Sequence, residues 1–222
     1  MQANTPEAIT PRRRGRPAKS DIDAAVVIRQ AALKAFARSG FQGASIVDIA
    51  QLAGVAKPLV HYHYASKDVL WEAAVSGAVA DLMAEMASFQ KDLNALPIQD
   101  LLRRSAKQLV VFASRHPALV HIVIDETAKG GARAQWLQEN FLLPSYAVAK
   151  NLINGIALMQ NPAKPPLPVE HIVPMVLGVM NFAFMEAEVI HKAYGVDVYS
   201  DSYIERHGEL LFQLLSGVIA KT

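Results

Sequence analysis

The sequence contains no cysteine, which excludes disulfides, thiolate metal sites and a cysteine nucleophile. It has no apolar segment near its start of the kind that marks a secretory signal. Its most apolar stretch, residues 172–185, is interrupted by Asn181 and is shorter than the ~20 residues that cross a bilayer. These absences predict a cytoplasmic protein without a membrane segment.

The sequence also lacks the glycine-rich motifs of nucleotide-binding enzymes, the G-x-S-x-G motif of hydrolases and any spacing that suggests a catalytic triad. His61 and His63 are two residues apart, and such residues do not share one face of a helix, which disfavours a metal pair. We therefore expect no enzymatic activity, no cofactor and no metal site.

The charge is small but unevenly distributed. The whole chain has a formal net charge of +2. Residues 1–19 carry five basic side chains against one glutamate, a net charge of +4, whereas residues 71–222 carry 12 basic and 15 acidic side chains, a net charge of −3. A basic arm on a nearly neutral body predicts a local contact with a polyanion.

Helical periodicity begins at Asp21, after a proline-containing arm. Ile28, Ala32 and Phe36 recur four residues apart, which is typical of the buried face of an amphipathic helix. Gly40 is expected to end this helix in the left-handed conformation that glycine adopts without strain.

Two shorter helices are predicted next. Ser45 and Asp48 have the spacing of a capping box, and the helix that they start is expected to stop at Gly54. A third helix begins near Pro58, since proline is tolerated in the first turn of a helix, and covers residues 57–64. Two helices joined by a short turn around one glycine have helix-turn-helix spacing.

The rest of the chain is predicted to be helical, with the fifth of the segments below kinked or divided by Pro144. The proline-rich residues 161–168 and residues 195–197 are expected to be loops. The predicted segments are 66–90, 98–115, 117–128, 132–158, 169–193 and 201–220. Strand alternation of useful length is missing, so the fold class is all-α.

In a helix-turn-helix the second helix enters the major groove while the first braces it across the backbone. Residues 57–64 would be this recognition helix. The side chains expected on its surface are Lys57, Leu59, His61, Tyr62 and His63. The side chains expected to hold it to its core are Val55, Val60 and Tyr64.

Residues 28–70 resemble the DNA-binding domain of the TetR family. The matching pieces are Ala31-Ala32-x3-Phe36-x3-Gly40, Ser45-x3-Ile49-Ala50-x2-Ala53-Gly54-Val55, Lys57, and His61-Tyr62-His63-Tyr64-x-Ser66-Lys67-x2-Leu70. The resemblance implies phosphate contacts by Ser45, Lys57, His61, His63 and Lys67. It implies base reading by Leu59 and Tyr62.

Three features depart from the family pattern. Ala56 stands where the family has a serine or threonine N-cap, which removes a capping bond worth ~1 kcal/mol. Pro58 fixes φ in the first turn and offsets part of that loss. His61 and His63 stand where tyrosine is commoner. Leu59 cannot donate a hydrogen bond, and we expect it to pack on a thymine methyl group.

The arm contains Arg14-Gly15-Arg16-Pro17, the core of an AT-hook, in which two arginines enter the narrow minor groove of A·T-rich DNA. The alternative is a basic tail with a general attraction to phosphates. Both remain open at this point.

The last helix carries an apolar stripe that includes Ile204, Gly208, Leu211 and Leu215, and the helix over 169–193 is apolar nearly all round. We expect these two helices to form a four-helix bundle with their mates in a homodimer, as TetR-like proteins do. A monomeric helical core is the alternative. A dimer would place two recognition helices about one turn of DNA apart.

The resemblance also implies a pocket for a small-molecule effector inside the larger domain. Aromatic and apolar side chains with a few polar groups are typical of such pockets, although each could instead be plain core. His121 and Asp125 lie four residues apart and could pair with each other or point into a cavity. The candidate lining residues are Phe112, His116, His121, Asp125, Trp136, Phe141, Tyr146, Val179 and Phe182.

These observations predict a dimeric repressor that binds a palindromic operator in double-stranded DNA and is released by a small molecule. The alternatives are a constitutive architectural DNA-binding protein, or a ligand-binding or catalytic helical protein with a vestigial N-terminal motif. The predicted domains are an arm at 1–19, a helix-turn-helix domain at 20–68, and a ligand-binding and dimerisation domain at 69–222.

Overall fold

The computed structural model describes residues 19–91, 96–160 and 167–221, and within these ranges all regular secondary structure is helical. This confirms the all-α fold class. The helices are α1 (Lys19–Gly43), α2 (Ile46–Ala53), α3 (Lys57–His63), α4 (Lys67–Lys91), α5 (Ile98–Arg115), α6 (Pro117–Lys129), α7 (Ala132–Leu137), α8 (Leu143–Gln160), α9 (Val169–Met185), α10 (Ala187–Tyr194) and α11 (Asp201–Lys221).

The ends of α2 and α3 follow their sequence signals. The hydroxyl oxygen of Ser45 accepts a hydrogen bond of 3.0 Å from the backbone N–H of Asp48, and Gly54 ends α2 in the left-handed conformation, with φ 66° and ψ 28°. Ala56 precedes α3 without any side-chain capping bond, and Pro58 lies in the first turn. The predicted missing cap is therefore confirmed.

Gly40 interrupts α1 at the position that the sequence predicts. Its φ is 65° but its ψ is 172°, which is a backbone region that is essentially restricted to glycine and not the left-handed helical region expected from the sequence. A short helical turn follows this kink and ends at Gly43, so the predicted position is confirmed and the predicted conformation of Gly40 is wrong.

Two later segments are interrupted. A π-helical turn, Gln138–Leu142, separates α7 from α8 and ends with a bond from the N–H of Leu143 to the carbonyl of Gln138. Pro144 follows directly and has no N–H to continue a regular ladder, so the predicted division is confirmed. The single helix predicted over 169–193 is wrong, because the chain breaks at Glu186 (φ −98°, ψ 21°).

Across the described ranges, the structure contains no single helix long and apolar enough to cross a membrane. The consecutive helices α9 and α10 reach that length and composition only when taken together, and they are bent by 69° with respect to each other.

Two hydrophobic cores hold the helices together. The first lies between α1, α2, α3 and α4, and it also includes Leu119 and Ile122 of α6 and Leu137 of α7. Because Leu70 and Val75 of α4 belong to it, this core continues past residue 68, the predicted domain boundary. The DNA-binding helices are therefore packed directly on the larger helical region.

The second core joins α5, α9 and α11. The stripe that we expected at a dimer interface faces this core, since Leu211 is buried and Ile204 and Leu215 pack against the cluster. A Cβ atom on Gly208 would lie 2.8 Å from Cα of Lys107, so α11 lies very close to α5. That stripe therefore belongs to the subunit's own interior.

Candidate nucleic-acid interface

The exposed face of α3 consists of side chains that suit DNA. Lys57, Pro58 and His61 are exposed, and Tyr62 has 74% of its surface open to solvent. At 100° per residue these four positions fall on one side of the helix. The result is a short rod whose outer side presents one cation, one imidazole and one phenol, groups that donate hydrogen bonds to phosphates and base edges.

The opposite side of α3 fixes it to the first core. Val60 is 1% exposed and Tyr64 is buried, as the sequence predicts. The Tyr64 hydroxyl donates a hydrogen bond of 3.1 Å to the carbonyl of Ala25 in α1, and burial raises the pKa of this hydroxyl. Leu59 and His63 are half-buried on this side, so they are not the outward-facing residues that we expected.

Ser45 and Lys67 lie at the starts of helices and already have partners in the protein. The Ser45 hydroxyl caps α2. The ammonium of Lys67 donates to the carbonyl of Gln42 at 3.4 Å and lies 4.6 Å from the ring centroid of Phe41. Their phosphate contacts stay predictions, as does base reading by Leu59. The arginines of the arm, at positions 14 and 16, lie outside the described residues.

A charged cluster joins the larger region to the DNA-binding helices. Glu126 of α6 is 2% exposed, and Nε of Arg133 in α7 lies 2.9 Å from its carboxylate. The same guanidinium lies 3.8 Å from the ring centroid of Phe41 and 3.8 Å from the carboxylate of Asp68. No sequence motif marks this cluster. The one signal in the sequence is the pair of opposite charges, Glu126 and Arg133, on either side of Gly130-Gly131.

Two of the predicted effector residues belong to the first core instead of to a separate pocket. Trp136 and Phe141 pack against that core. The ring of Trp136 meets the ring of Trp71 edge to face, with 5.5 Å between centroids. These two positions connect the π-helical turn to α4.

Phe112 and His116, at the end of α5, face α4. Phe112 is buried and lies edge to face with Phe89 at 6.5 Å. Nε2 of His116 lies 3.3 Å from the carboxylate of Glu85. Both side chains fix the contact between α4 and α5.

His121 lines a narrow crevice between α6 and α9 that has essentially no room for a water molecule. The crevice walls are Ala113, Pro117, Val120, His121, Asn181, Phe184 and Met185. The Asn181 amide donates to the carbonyl of Leu177 at 2.9 Å, whereas its Oδ1 is buried without a hydrogen-bond partner. Asp125 is not among the walls of the crevice. Its carboxylate instead accepts a hydrogen bond of 2.6 Å from the ammonium of Lys129.

The remaining candidates lie further out. Tyr146 is 40% exposed on α8, and Phe182 is 62% exposed on α9. Val179 is half-buried, and its carbonyl lies 2.8 Å from Nε2 of His207. The nine predicted effector residues are therefore spread over several places. Within the described ranges, no three histidine or carboxylate side chains are grouped so that they could hold a metal ion.

Residues 28–74 match the family of bacterial regulatory proteins named after TetR. No curated protein matches the sequence.

Several solved structures share the fold over most of the chain. A TetR-family regulator from Mesorhizobium loti is 21% identical, with a TM-score of 0.63, 90% of this chain covered and 98% of the other. A TetR-like regulator from Rhodococcus sp. RHA1 is 16% identical, with a TM-score of 0.65 and coverages of 94% and 100%. FadR from Bacillus subtilis, in complex with stearoyl-CoA, is 14% identical, with a TM-score of 0.62 and coverages of 86% and 96%.

At these identities the solved structures show the fold alone, and the family match is confined to residues 28–74. Those residues form a helix-turn-helix domain of the TetR type, and the chain as a whole shares its fold with regulators that carry such a domain.

Proposed function

We propose that this regulator is a dimeric repressor that binds a palindromic operator and is released by a small molecule. The observation that carries the proposal is the exposed face of α3, on which Lys57, His61 and Tyr62 project from a helix that Val60 and Tyr64 fasten to a rigid core. A rod of two turns reads few base pairs, so specificity requires two copies on adjacent turns of the groove.

A second apolar surface supports the dimer. Met175 and Phe182 of α9 are 64% and 62% exposed, and they lie seven residues apart, on one face of that helix. Leu210 and Leu214 are also exposed, and they lie one turn apart on α11. Large exposed apolar patches mark interaction sites on folded proteins, and a second copy of the chain covers these side chains in the proposed dimer.

The dimer is tested by sedimentation of the double variant Leu214→Asp and Phe182→Asp. We expect this variant to sediment as a monomer at micromolar concentration, because a dimer would bury the uncompensated charge of both aspartates in its interface. The matched control is Leu52→Asp, since Leu52 is 52% exposed on α2, away from the proposed interface. A wild-type protein that sediments as a monomer refutes the dimer.

DNA binding is tested by selecting duplexes from a random pool and measuring affinity by fluorescence anisotropy. Loss of a base-reading side chain costs about 1–3 kcal/mol, or about 5- to 150-fold in affinity, so we expect Tyr62→Ala to weaken binding to the selected duplex by that factor. Tyr194→Ala removes the same side chain from α10, where it is 76% exposed, and should change nothing. Equal effects of the two variants would contradict the assignment of α3.

Release by a small molecule distinguishes the proposal from its alternatives. The selected duplex is challenged with a compound library that includes stearoyl-CoA, because FadR of Bacillus subtilis shares the fold and is bound to that compound. Specific binding that a compound releases supports the repressor. Specific binding that nothing releases favours a constitutive architectural protein, and no specific binding favours a helical protein with a vestigial motif.

The role of the arm is tested with two variants of equal charge. Arg14→Ala with Arg16→Ala removes the hook arginines, whereas Arg12→Ala with Arg13→Ala removes the same charge beside them. A minor-groove hook predicts that only the first pair abolishes a preference for A·T flanks. General phosphate attraction predicts equal losses of affinity and equal flattening of the salt dependence.

A further inference from the structure

The cluster of Glu126, Arg133 and Phe41 lies where the larger region meets the DNA-binding helices. Among the described residues, Glu126 is the one polar or charged residue that is fully buried. A buried carboxylate without a partner is strongly destabilising. Because Arg133 supplies that partner at 2.9 Å, the end of α6 and the start of α7 are held together across the turn at Gly130-Gly131.

The turn itself requires the two glycines. Their φ angles are 73° and 87°, a range that side chains other than glycine rarely adopt. The glycines allow the chain to turn sharply here, and the ion pair between Glu126 and Arg133 bridges the turn.

The guanidinium also contacts α1 and α4, the helices on either side of α2 and α3. Its Cζ lies 3.8 Å from the ring centroid of Phe41, at the end of α1, and Nη1 lies 3.8 Å from the carboxylate of Asp68, at the start of α4. Beside it, Lys129 and Asp125 of α6 lie close enough that a Cβ atom on Gly40 would be 3.3 Å from each. One planar cation thus links α6 and α7 to the segments on both sides of the helix-turn-helix.

We propose that Arg133 is a positioning residue that couples the state of α6 and α7 to DNA binding by α3. This inference rests on the proposed function, since it assumes that the chain binds operator DNA. Because Arg133 contacts α6 as well as α1 and α4, a duplex that restrains α3 also restrains α6. Linkage makes the effect reciprocal: a ligand that displaces α6 lowers the affinity for DNA by the factor by which DNA lowers the affinity for that ligand.

The test is hydrogen exchange of the full chain, free and bound to the duplex obtained by selection. In the wild type we expect bound DNA to slow exchange in residues 28–74 and, by about fivefold or more, in residues 117–137, because coupling between sites typically amounts to 5–150-fold. In Arg133→Ala the protection of residues 28–74 should persist, while that of 117–137 should fall below about twofold.

A purely structural role of Arg133 would speed exchange in the free protein but would leave the change caused by DNA intact in both regions. That result overturns the inference, as does a wild type in which protection ends at residue 74. The control Lys192→Ala breaks an exposed ion pair with Glu188 on α10 and should leave both regions as in the wild type.

Arg133→Lys keeps the test decisive if the alanine variant does not fold. Lysine retains a charge for Glu126 but lacks the planar group that stacks on Phe41, so protection of residues 117–137 should be reduced while residues 28–74 stay protected. Full protection in the lysine variant refutes the stacking contact as the link. Failure of every duplex to protect residues 28–74 in the wild type refutes the proposed function itself and the inference with it.

Discussion

The packing of α11 on α5 makes a strong prediction about one glycine. A Cβ atom on Gly208 would lie 2.8 Å from Cα and 3.2 Å from Cβ of Lys107. The first neighbour is backbone, so a change of rotamer cannot relieve the clash, and α11 has to move outward by several tenths of an ångström. Gly208→Ala therefore strains the contact between α11 and α5.

The expected magnitude follows from two opposing effects. Overpacking of a well-packed contact costs about 1–3 kcal/mol, and a backbone clash belongs in the upper part of that range. Alanine is about 1 kcal/mol more favourable than glycine inside a helix, which offsets part of the cost. We expect a net loss of about 1–2 kcal/mol in the free energy of unfolding, which lowers Tm by about 2–8 °C for a chain of this size.

Gly77→Ala is the matched control. Gly77 is inside α4, and a Cβ atom there would meet the flexible side chain of Arg29 at 3.7 Å, an ordinary contact. The helix propensity of alanine then acts alone, so this variant should be stabilised by up to about 1 kcal/mol. Denaturant unfolding measures both changes. If Gly208→Ala stabilises the protein as much as Gly77→Ala does, the close approach of α11 to α5 is wrong.

Four further substitutions, one of them with a control, give distinct results. Ser45→Ala removes the cap of α2 and should cost about 1 kcal/mol, whereas Ala56→Ser adds a missing cap to α3 and should gain a similar amount; opposite shifts of Tm check the pair. Tyr64→Phe should cost about 1 kcal/mol through its lost bond to α1. Because burial raises the pKa of Tyr64, the contribution of its hydroxyl is complete below pH 10 and is lost as the pH rises through the folded pKa. The wild type should therefore lose stability at high pH more steeply than the variant. Asn181→Leu removes the buried Oδ1 that lacks a partner and should raise Tm, whereas Asn140→Leu, which loses a similar bond to the preceding turn at an exposed site, should not.

The sequence predicts the DNA-binding helices well because their ends are determined locally. Ser45, Gly54 and Pro58 each fix a boundary through their own backbone chemistry, and the periodic apolar residues of α1 need only one buried face. The break at Glu186 was missed because neither proline nor glycine marks it. Ala187 and Ile190 of α10 still pack against the second core, so the apolar pattern continues through the break and periodicity does not report it.

The sequence predicts the two sides of α3 but not the surroundings of the effector residues. Tyr62 and Val60 are on opposite sides of α3, as the helical period requires. Leu59 and His63 are half-buried because the first core extends further round α3 than two anchoring residues suggest. The effector residues were predicted by residue type alone, and residue type does not determine which helices meet. Trp136 packs against Trp71 of α4, and Phe182 is exposed on the surface of α9.

His121, which lines the crevice, and Glu126, which pairs with Arg133, are both on α6. This helix therefore connects effector binding with DNA binding in the proposed mechanism. The crevice beside His121 has essentially no room for a water molecule, whereas ligand pockets measure ~300–1,000 Å³, so an effector that binds there has to separate α6 from α9. A shift of α6 moves Glu126, and leaving Glu126 without Arg133 costs about 3–5 kcal/mol, as for any buried ion pair that loses one partner. Keeping the pair intact and moving Phe41 with it is the less costly response. We therefore propose that the displacement is passed to α1 and the turn before α2, and that it changes the position of the recognition helix relative to the groove.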